Sequence, residues 1–495
     1  MIHDFSTHKK INNSKVVTEK PRIPELTVKA QAVAAIPYSK PDQPQPTPPP
    51  PPPPPPEARI PEKTKVEKLP KTTNLNPLKS EKYYEGIESD IPIDIADLDL
   101  NKTNIIKFKP LLSEYEVYNM GDEINDERKA IMSFLGLDIG TKTIVAAFKT
   151  KDGTTNYISE INGFWPFERA TPFIENMLKD PSKVRSDGTK RPAHYFRHEE
   201  SNQCIVLGRD AEEFAYAKND TLKRPMAEGG ITPDEMSMTV LSSIIHGILN
   251  TAENDLGKFD NNLNLCFCTT APAINKQSNI EYHERVLDII LKSYNSESNI
   301  KLHKIKESHA VVLSMSSDGT GIGISWGAGT VTVSYVKYGL EVYSFCWVGA
   351  GDWIDDNVAI RHGYDPNAMK TMKKASKETP TTVSKSKMTI DLTPGTIYGD
   401  RLLMDISLHY DVLISQVVGG IISGFQEHEA EARIDDGVNV YMAGGTSSPN
   451  GFAERVTVIF NNSELPFKLG TVTKSDKPLY TVAGGCLSAA EMFSA

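Results

Sequence analysis

Nine consecutive prolines, Pro48 to Pro56, divide this sequence into parts that obey different rules. Proline locks φ and has no amide donor, so the run can enter neither a helix interior nor a central strand. It predicts an extended left-handed segment. Residues 1–80 carry 18 of the 33 prolines, with 13 basic and 7 acidic side chains, a balance of +6. Residues 81–130 carry 6 basic and 13 acidic side chains, a balance of −7. Residues 1–130 therefore read as a disordered tail, first basic and proline-rich, then acidic. Two uses stay open for the polyproline: a docking peptide for an aromatic-lined groove, or a stiff spacer. The stretch IPIDIADLDLN from Ile91 alternates apolar and acidic residues, as a short partner-binding strand or an ordered contact would.

The remainder is long enough for more than one domain of a 495-residue chain. A formal charge of −10 and a pI near 5.7 argue against direct nucleic-acid binding, which calls for surplus Lys and Arg. No apolar run suggests a transmembrane segment, and MIHDFSTHKK at the start lacks the apolar segment of a signal peptide. Five scattered cysteines (Cys204, Cys266, Cys268, Cys346, Cys486) fit a reducing cytoplasm. Cys266 and Cys268 stand at i and i+2 of a candidate strand, facing one way as small core residues.

From about Ile131 the texture is α/β. Phe134 to Leu137 and Ile144 to Phe148 are apolar runs flanking the turn Asp138-Ile139-Gly140-Thr141-Lys142-Thr143. Met236 to Leu249 has helical periodicity behind the start signal Thr232-Pro233-Asp234-Glu235. Leu263 to Thr270 predicts a buried strand closed by Ala271-Pro272, Ile322 to Val336 a hairpin, Tyr410 to Phe425 a second apolar helix, and Val438 to Met442 a strand entering a Gly-Gly turn. Thr371 to Lys387 reads as a solvated insertion. Strands alternating with helices predict a layered α/β protein.

Three glycine turns recur in strand–turn contexts. In Gly136 to Thr143, Gly140 lets backbone amides approach a phosphate, Thr141 and Thr143 add hydroxyls, and Asp138 ends the strand with a carboxylate suited to the water shell of Mg²⁺. In Gly321 to Val333, the residues Gly327, Ala328, Gly329 and Thr330 form a second turn able to present amides to an anion. In Met442 to Phe452, Gly444 and Gly445 leave bare backbone on which a purine can pack.

The three turns, in this order, resemble those of the actin-like ATPase superfamily, which includes the large heat-shock chaperones and the sugar kinases. There two phosphate hairpins clasp the β- and γ-phosphates and a late Gly-Gly turn meets the adenosine. Gly136 to Thr143 is similar to the first hairpin, Ile324 to Thr330 to the second, and Ala443 to Ser447, with Gly444, Gly445 and Thr446, to the adenosine turn. Arg224-Pro225-Met226 with Gly229-Gly230-Ile231 resembles the run before a long helix in bacterial actins of the MreB and ParM type. Ala271-Pro272-Ala273, the turn Trp347 to Trp353 with its acidic residue opening a helix, and Ala483-Gly484-Gly485 complete a resemblance covering Ile131 to Ala495. It implies a two-domain fold of duplicated mixed-sheet cores with flanking helices and a nucleotide cleft between them. The implied domains are 131–310, with 484–495 returning to it and a small subdomain at about 165–235, and 311–483, with a small subdomain at about 366–430.

The second hairpin departs from the family. Ser325 stands where an Asp usually serves the metal shell, and Ala328 where actins have a further Asp. Ser325 can still hydrogen-bond a metal-bound water, so Asp138 and Ser325 are the implied metal residues. The implied water-orienting groups are Glu307, which reads equally as a helix-start carboxylate, and Gln277 and Asn279. The ammonium of Lys142 can reach a phosphate or face solvent, and Trp326 can cap the cleft or pack between domains.

The implied function is a cytoplasmic, prokaryotic actin-like protein that binds ATP or ADP with Mg²⁺. It would polymerise with itself in a nucleotide-dependent way and hydrolyse ATP slowly, the tail recruiting or spacing an unidentified partner. The alternative is a non-filamentous nucleotide-binding adaptor with weak or lost hydrolysis, which Ser325 and Ala328 favour. A sugar or acetate-type kinase on this fold would need a substrate constellation that the sequence does not display.

Overall fold

The strand meanders expected around the first two glycine turns open two sheets with the same strand order. The computed structural model describes residues 130–494 apart from 150–152, 186–187, 219, 256, 277–279, 295–299, 365–389 and 429–436. The proline run, the acidic stretch, the whole Thr371 to Lys387 insertion, and Gln277 and Asn279 thus lie outside the described residues.

The first sheet begins with the antiparallel meander β1 (Ala130–Ile139), β2 (Thr143–Lys149) and β3 (Thr155–Ile161). A small three-stranded sheet follows, built from β4 (Phe164–Pro166), β5 (Tyr195–His198) and β6 (Gln203–Leu207), with α1 (Pro172–Lys179) and α2 (Gly208–Ala217) beside it. The two-residue strands β7 (Met226–Ala227) and β8 (Gly230–Ile231) lead into α3 (Glu235–Asp255). Then come β9 (Gly257–Thr269), α4 (Ile280–Ser293), β10 (Lys301–Lys306) and α5 (Glu307–Met315). β9 runs parallel to β1 and β10 parallel to β9, giving the order β10-β9-β1-β2-β3.

The second half repeats this order. β11 (Gly321–Trp326), β12 (Thr330–Lys337) and β13 (Leu340–Val348) form the meander, followed by α6 (Gly351–His362), α7 (Arg401–Glu427), β14 (Val438–Ala443), α8 (Phe452–Asn461), β15 (Leu469–Lys474) and α9 (Thr481–Ser494). The sheet order is β13-β12-β11-β14-β15, again with an antiparallel meander and two parallel strands. This is the duplicated mixed-sheet architecture that the resemblance implied.

Local signals act as expected at several element ends. Asp234 caps α3, its carboxylate accepting from the Ser237 amide at 2.7 Å and the Ser237 hydroxyl at 2.7 Å. The second apolar helix starts earlier than Tyr410 because Asp400 caps it, accepting from the Leu402 amide at 2.7 Å. At 27 residues this helix is long and apolar enough to cross a membrane, which the sequence reading did not anticipate. Its Leu402, Ile406, Tyr410, Leu413, Ile414, Val417, Val418 and Ile421 are nevertheless buried in the core of the second half.

The halves are joined by an exchange of helices. α9, last in the chain, packs on β1 and β9 of the first sheet, while α5 packs on β11 and β12 of the second. The two approaches match. A Cβ on Gly136 of β1 would overlap the backbone of α9 at Ala483 and Leu487, and a Cβ on Gly323 of β11 would overlap the carbonyl of Ser308 in α5. The halves also share a parallel bridge, with the Ile274 amide donating to the Cys346 carbonyl and the Cys346 amide to the Pro272 carbonyl. All described residues belong to one unit, Ser89–Ala495.

Candidate functional site between two pinned turns

The first turn is closed by a bond from the Gly140 amide to the Thr143 carbonyl at 3.1 Å, the second by the same bond from Gly327 to Thr330 at 2.9 Å. These identical closures make Asp138 and Ser325 equivalent positions, each two residues before the closing glycine.

Both turns are pinned by their carbonyls. In the first, the Asn162 side-chain amide donates to Gly140 O at 2.9 Å, the Arg224 guanidinium to Thr141 O at 3.2 Å, and the Asn162 backbone amide to Lys142 O at 2.9 Å. In the second, the Thr446 hydroxyl donates to Gly327 O at 2.6 Å, the Asp352 amide to Ala328 O at 2.8 Å, and the Gly349 amide to Gly329 O at 2.9 Å. A trans peptide points its N–H opposite its C=O. Three consecutive carbonyls held by the protein body therefore turn the amides of Thr141, Lys142 and Thr143, and those of Ala328, Gly329 and Thr330, away from their braces. Successive amides arranged in this way form anion-binding concavities. The turns face each other, since a Cβ on Gly329 would lie 3.1 Å from the Thr141 hydroxyl and one on Gly229 would lie 2.8 Å from the Thr330 methyl.

Two carboxylates lie beneath the turns. Asp138, at the end of β1, accepts a bond from the Cys268 thiol at 3.2 Å. Glu307 opens α5 and accepts from the Thr332 hydroxyl at 3.4 Å and from the Ser325 hydroxyl. Burial raises both carboxyls above the ordinary range. The negative charge of Glu307 raises Asp138 further, and the thiol bond partly opposes this. Glu307 is thus the helix-start carboxylate and is also tied to the second hairpin through Thr332. Ser325 bonds to Glu307, and Thr332, paired with Ser325 across the hairpin, joins the set. Two adjacent buried carboxylates with hydroxyl neighbours are a hard oxygen donor set, which suits Mg²⁺.

Lys142 is held across the turns rather than turned to solvent. Its ammonium forms an ion pair with Asp352 at the start of α6 and lies 3.7 Å from Asp355. Trp326 is also placed differently. Its side chain is fully buried inside the second half, edge-on to Phe452 with ring centroids 5.1 Å apart, because its β11 position faces the core rather than the turn. In the third turn Gly444 has φ +94°, and a Cβ there would overlap the Trp326 carbonyl. At Gly445 a Cβ would lie 3.3 Å from the Leu479 side chain, and Thr446 is the brace on Gly327. Cys268 was legible as a core residue, but its bond to Asp138 was not, and neither was the meeting of Cys266 and Cys268 with Cys486 of α9.

A family model described as Volactin matches residues 132–490. No curated protein sequence matches the chain. Solved structures to which it is similar include a MamK double helical filament, at 16% identity over 72% of this chain and 98% of that one, with a TM-score of 0.49. A non-polymerising MamK mutant bound to AMPPNP matches at 16% identity over 73% of this chain and 99% of that one, with a TM-score of 0.43. The ethanolamine utilization protein EutJ from Carboxydothermus hydrogenoformans matches at 13% identity over 72% and 89%, with a TM-score of 0.41.

Proposed function

The chain belongs to the Volactin family, and on that premise we propose that it is a prokaryotic actin-like protein that binds ATP or ADP with Mg²⁺ between its two halves and assembles into filaments according to nucleotide state. The observation that carries this reading is the pair of turns with three pinned carbonyls each, set over the buried carboxylates of Asp138 and Glu307. Six amides turned away from their braces suit the β- and γ-phosphates, and the Gly444-Gly445 turn, which carries no side chain, suits the adenosine.

Asp138, with Ser325, would hold the cation. When bound, Mg²⁺ neutralises the charge that develops on the transferring phosphoryl group. The protein's own part is positioning. The turns would orient the phosphates, and Glu307, steered by the Thr332 and Ser325 hydroxyls, would serve as the group that accepts a proton from the attacking water. With Ser325 supplying no charge, hydrolysis is slow. Closure of the halves about the crossing of α5 and α9 changes the outer surfaces. A head-to-tail contact that does not close into a ring then gives an open filament. The N-terminal tail recruits or spaces a partner.

Pelleting and electron microscopy with ATP, ADP, a non-hydrolysable analogue and no nucleotide, with phosphate release measured in parallel, test the reading. Nucleotide-dependent polymer supports it. Tight nucleotide binding without polymer at any concentration favours the adaptor, to which Ser325 and Ala328 already point.

A further inference from the structure

Asp352 touches both turns. Its amide donates to the Ala328 carbonyl of the second at 2.8 Å, and its carboxylate forms an ion pair with Lys142 of the first. Asp355, one helical turn along α6 and almost fully buried, lies 3.7 Å from the same ammonium. Arg224, the half-buried brace on Thr141, also lies within the field of Asp352. One carboxylate thus sits opposite two cations of the first half while its own backbone holds the second half's turn. An anionic ligand between the turns would enter this same charge set.

We infer that Asp352, seconded by Asp355, is an acidic catch that competes with a nucleoside polyphosphate for the Lys142 ammonium. This rests on the reading of the cleft as a nucleotide site and deepens it. Binding is then an exchange of counter-ions: the ammonium leaves Asp352 for a phosphate oxygen, and no bond is made or broken. The exchange has a sign that simple positioning lacks. The catch holds the two halves together when no anion occupies the turns, and it opposes the anion when one arrives.

Asp352→Asn keeps the amide that braces Ala328 and removes only the charge. It should lower the Kd for ATP about three- to tenfold, the range expected for a half-exposed ion pair released from competition, and should lower the melting temperature without ligand. Lys142→Met should raise that Kd about tenfold or more, as loss of a charge-assisted bond does. In the Lys142→Met background Asp352→Asn should tighten binding less than it does in the wild type. Asp355→Asn is the second probe, and circular dichroism confirms folding of each variant. Titrations use the full chain with ATP and, separately, with inorganic tripolyphosphate. Tighter binding coupled to lower unliganded stability supports the catch. If the wild type binds but Asp352→Asn binds no better, or worse, the catch is overturned and the cleft reading stands. If the wild type binds neither ATP nor tripolyphosphate, both fall.

Discussion

Gly485 of α9 crosses α5 directly over the carbonyl of Ala310, so close that a single methyl group at Gly485 would overlap that oxygen. Both helices are the ones exchanged between the halves, so this crossing is a seam that joins them. Gly485→Ala should destabilise the protein by about 1–3 kcal/mol, the usual cost of overpacking. Gly484→Ala meets side chains rather than backbone, the Tyr157 hydroxyl at 3.1 Å and the Ser314 hydroxyl at 3.6 Å, and should cost less. Chemical denaturation of the two variants side by side measures the difference.

Asp138→Asn removes a buried carboxylate that burial and Glu307 hold well above its ordinary pKa. A carboxyl raised on folding favours the native state when protonated, and that stability is lost as pH rises from the ordinary value through the raised one. Without Mg²⁺ or nucleotide, the variant should therefore be more stable than the wild type at pH 8, and its melting temperature should fall less between pH 5 and pH 8. Nucleotide affinity in the presence of Mg²⁺ should drop. Melting curves across pH, with and without Mg-ATP, check both halves of the expectation, which trades stability against function.

Glu307→Gln keeps the shape of the side chain and its bonds to Thr332 and Ser325 while removing the base. Phosphate release should slow by about 10²–10⁴, the span usual for loss of a general base. Nucleotide affinity should change little. Equal losses in binding and turnover would instead mark Glu307 as a structural carboxylate.

His283, on the buried face of α4, has its pKa pushed down to about 4 by burial, and its Nδ1 has no hydrogen-bond partner among the described residues. A histidine depressed on folding supports the native state while neutral, and that support is lost as pH falls from about 6.5 towards 4. The wild type should lose up to about 1.4 kcal/mol per pH unit in this window through His283. His283→Leu should flatten the slope in urea denaturation measured between pH 4 and 7.

The backbone of the site was legible because its signals are local. Gly140 and Thr143, like Gly327 and Thr330, are three residues apart, and their closing bonds need nothing beyond the hairpin. Asp234 caps α3 through a residue three positions on, and the period of Met236 to Leu249 marks its buried face. Helix α7 begins ahead of its apolar run because Asp400, a polar residue outside the periodic pattern, caps it.

The amino-acid order alone determined the strands, the turns, the acidic strand end at Asp138 and the sequence in which they occur, since each depends on neighbours a few residues away. It could not determine which side chain meets which across the cleft. Lys142 finds Asp352, Glu307 lies beneath Ser325, Cys268 reaches Asp138, and Trp326 turns into the core. Each of these follows from how two separately formed sheets and two exchanged helices pack. Packing is set by contacts between distant parts of the chain, which leave no periodic trace in the order of residues.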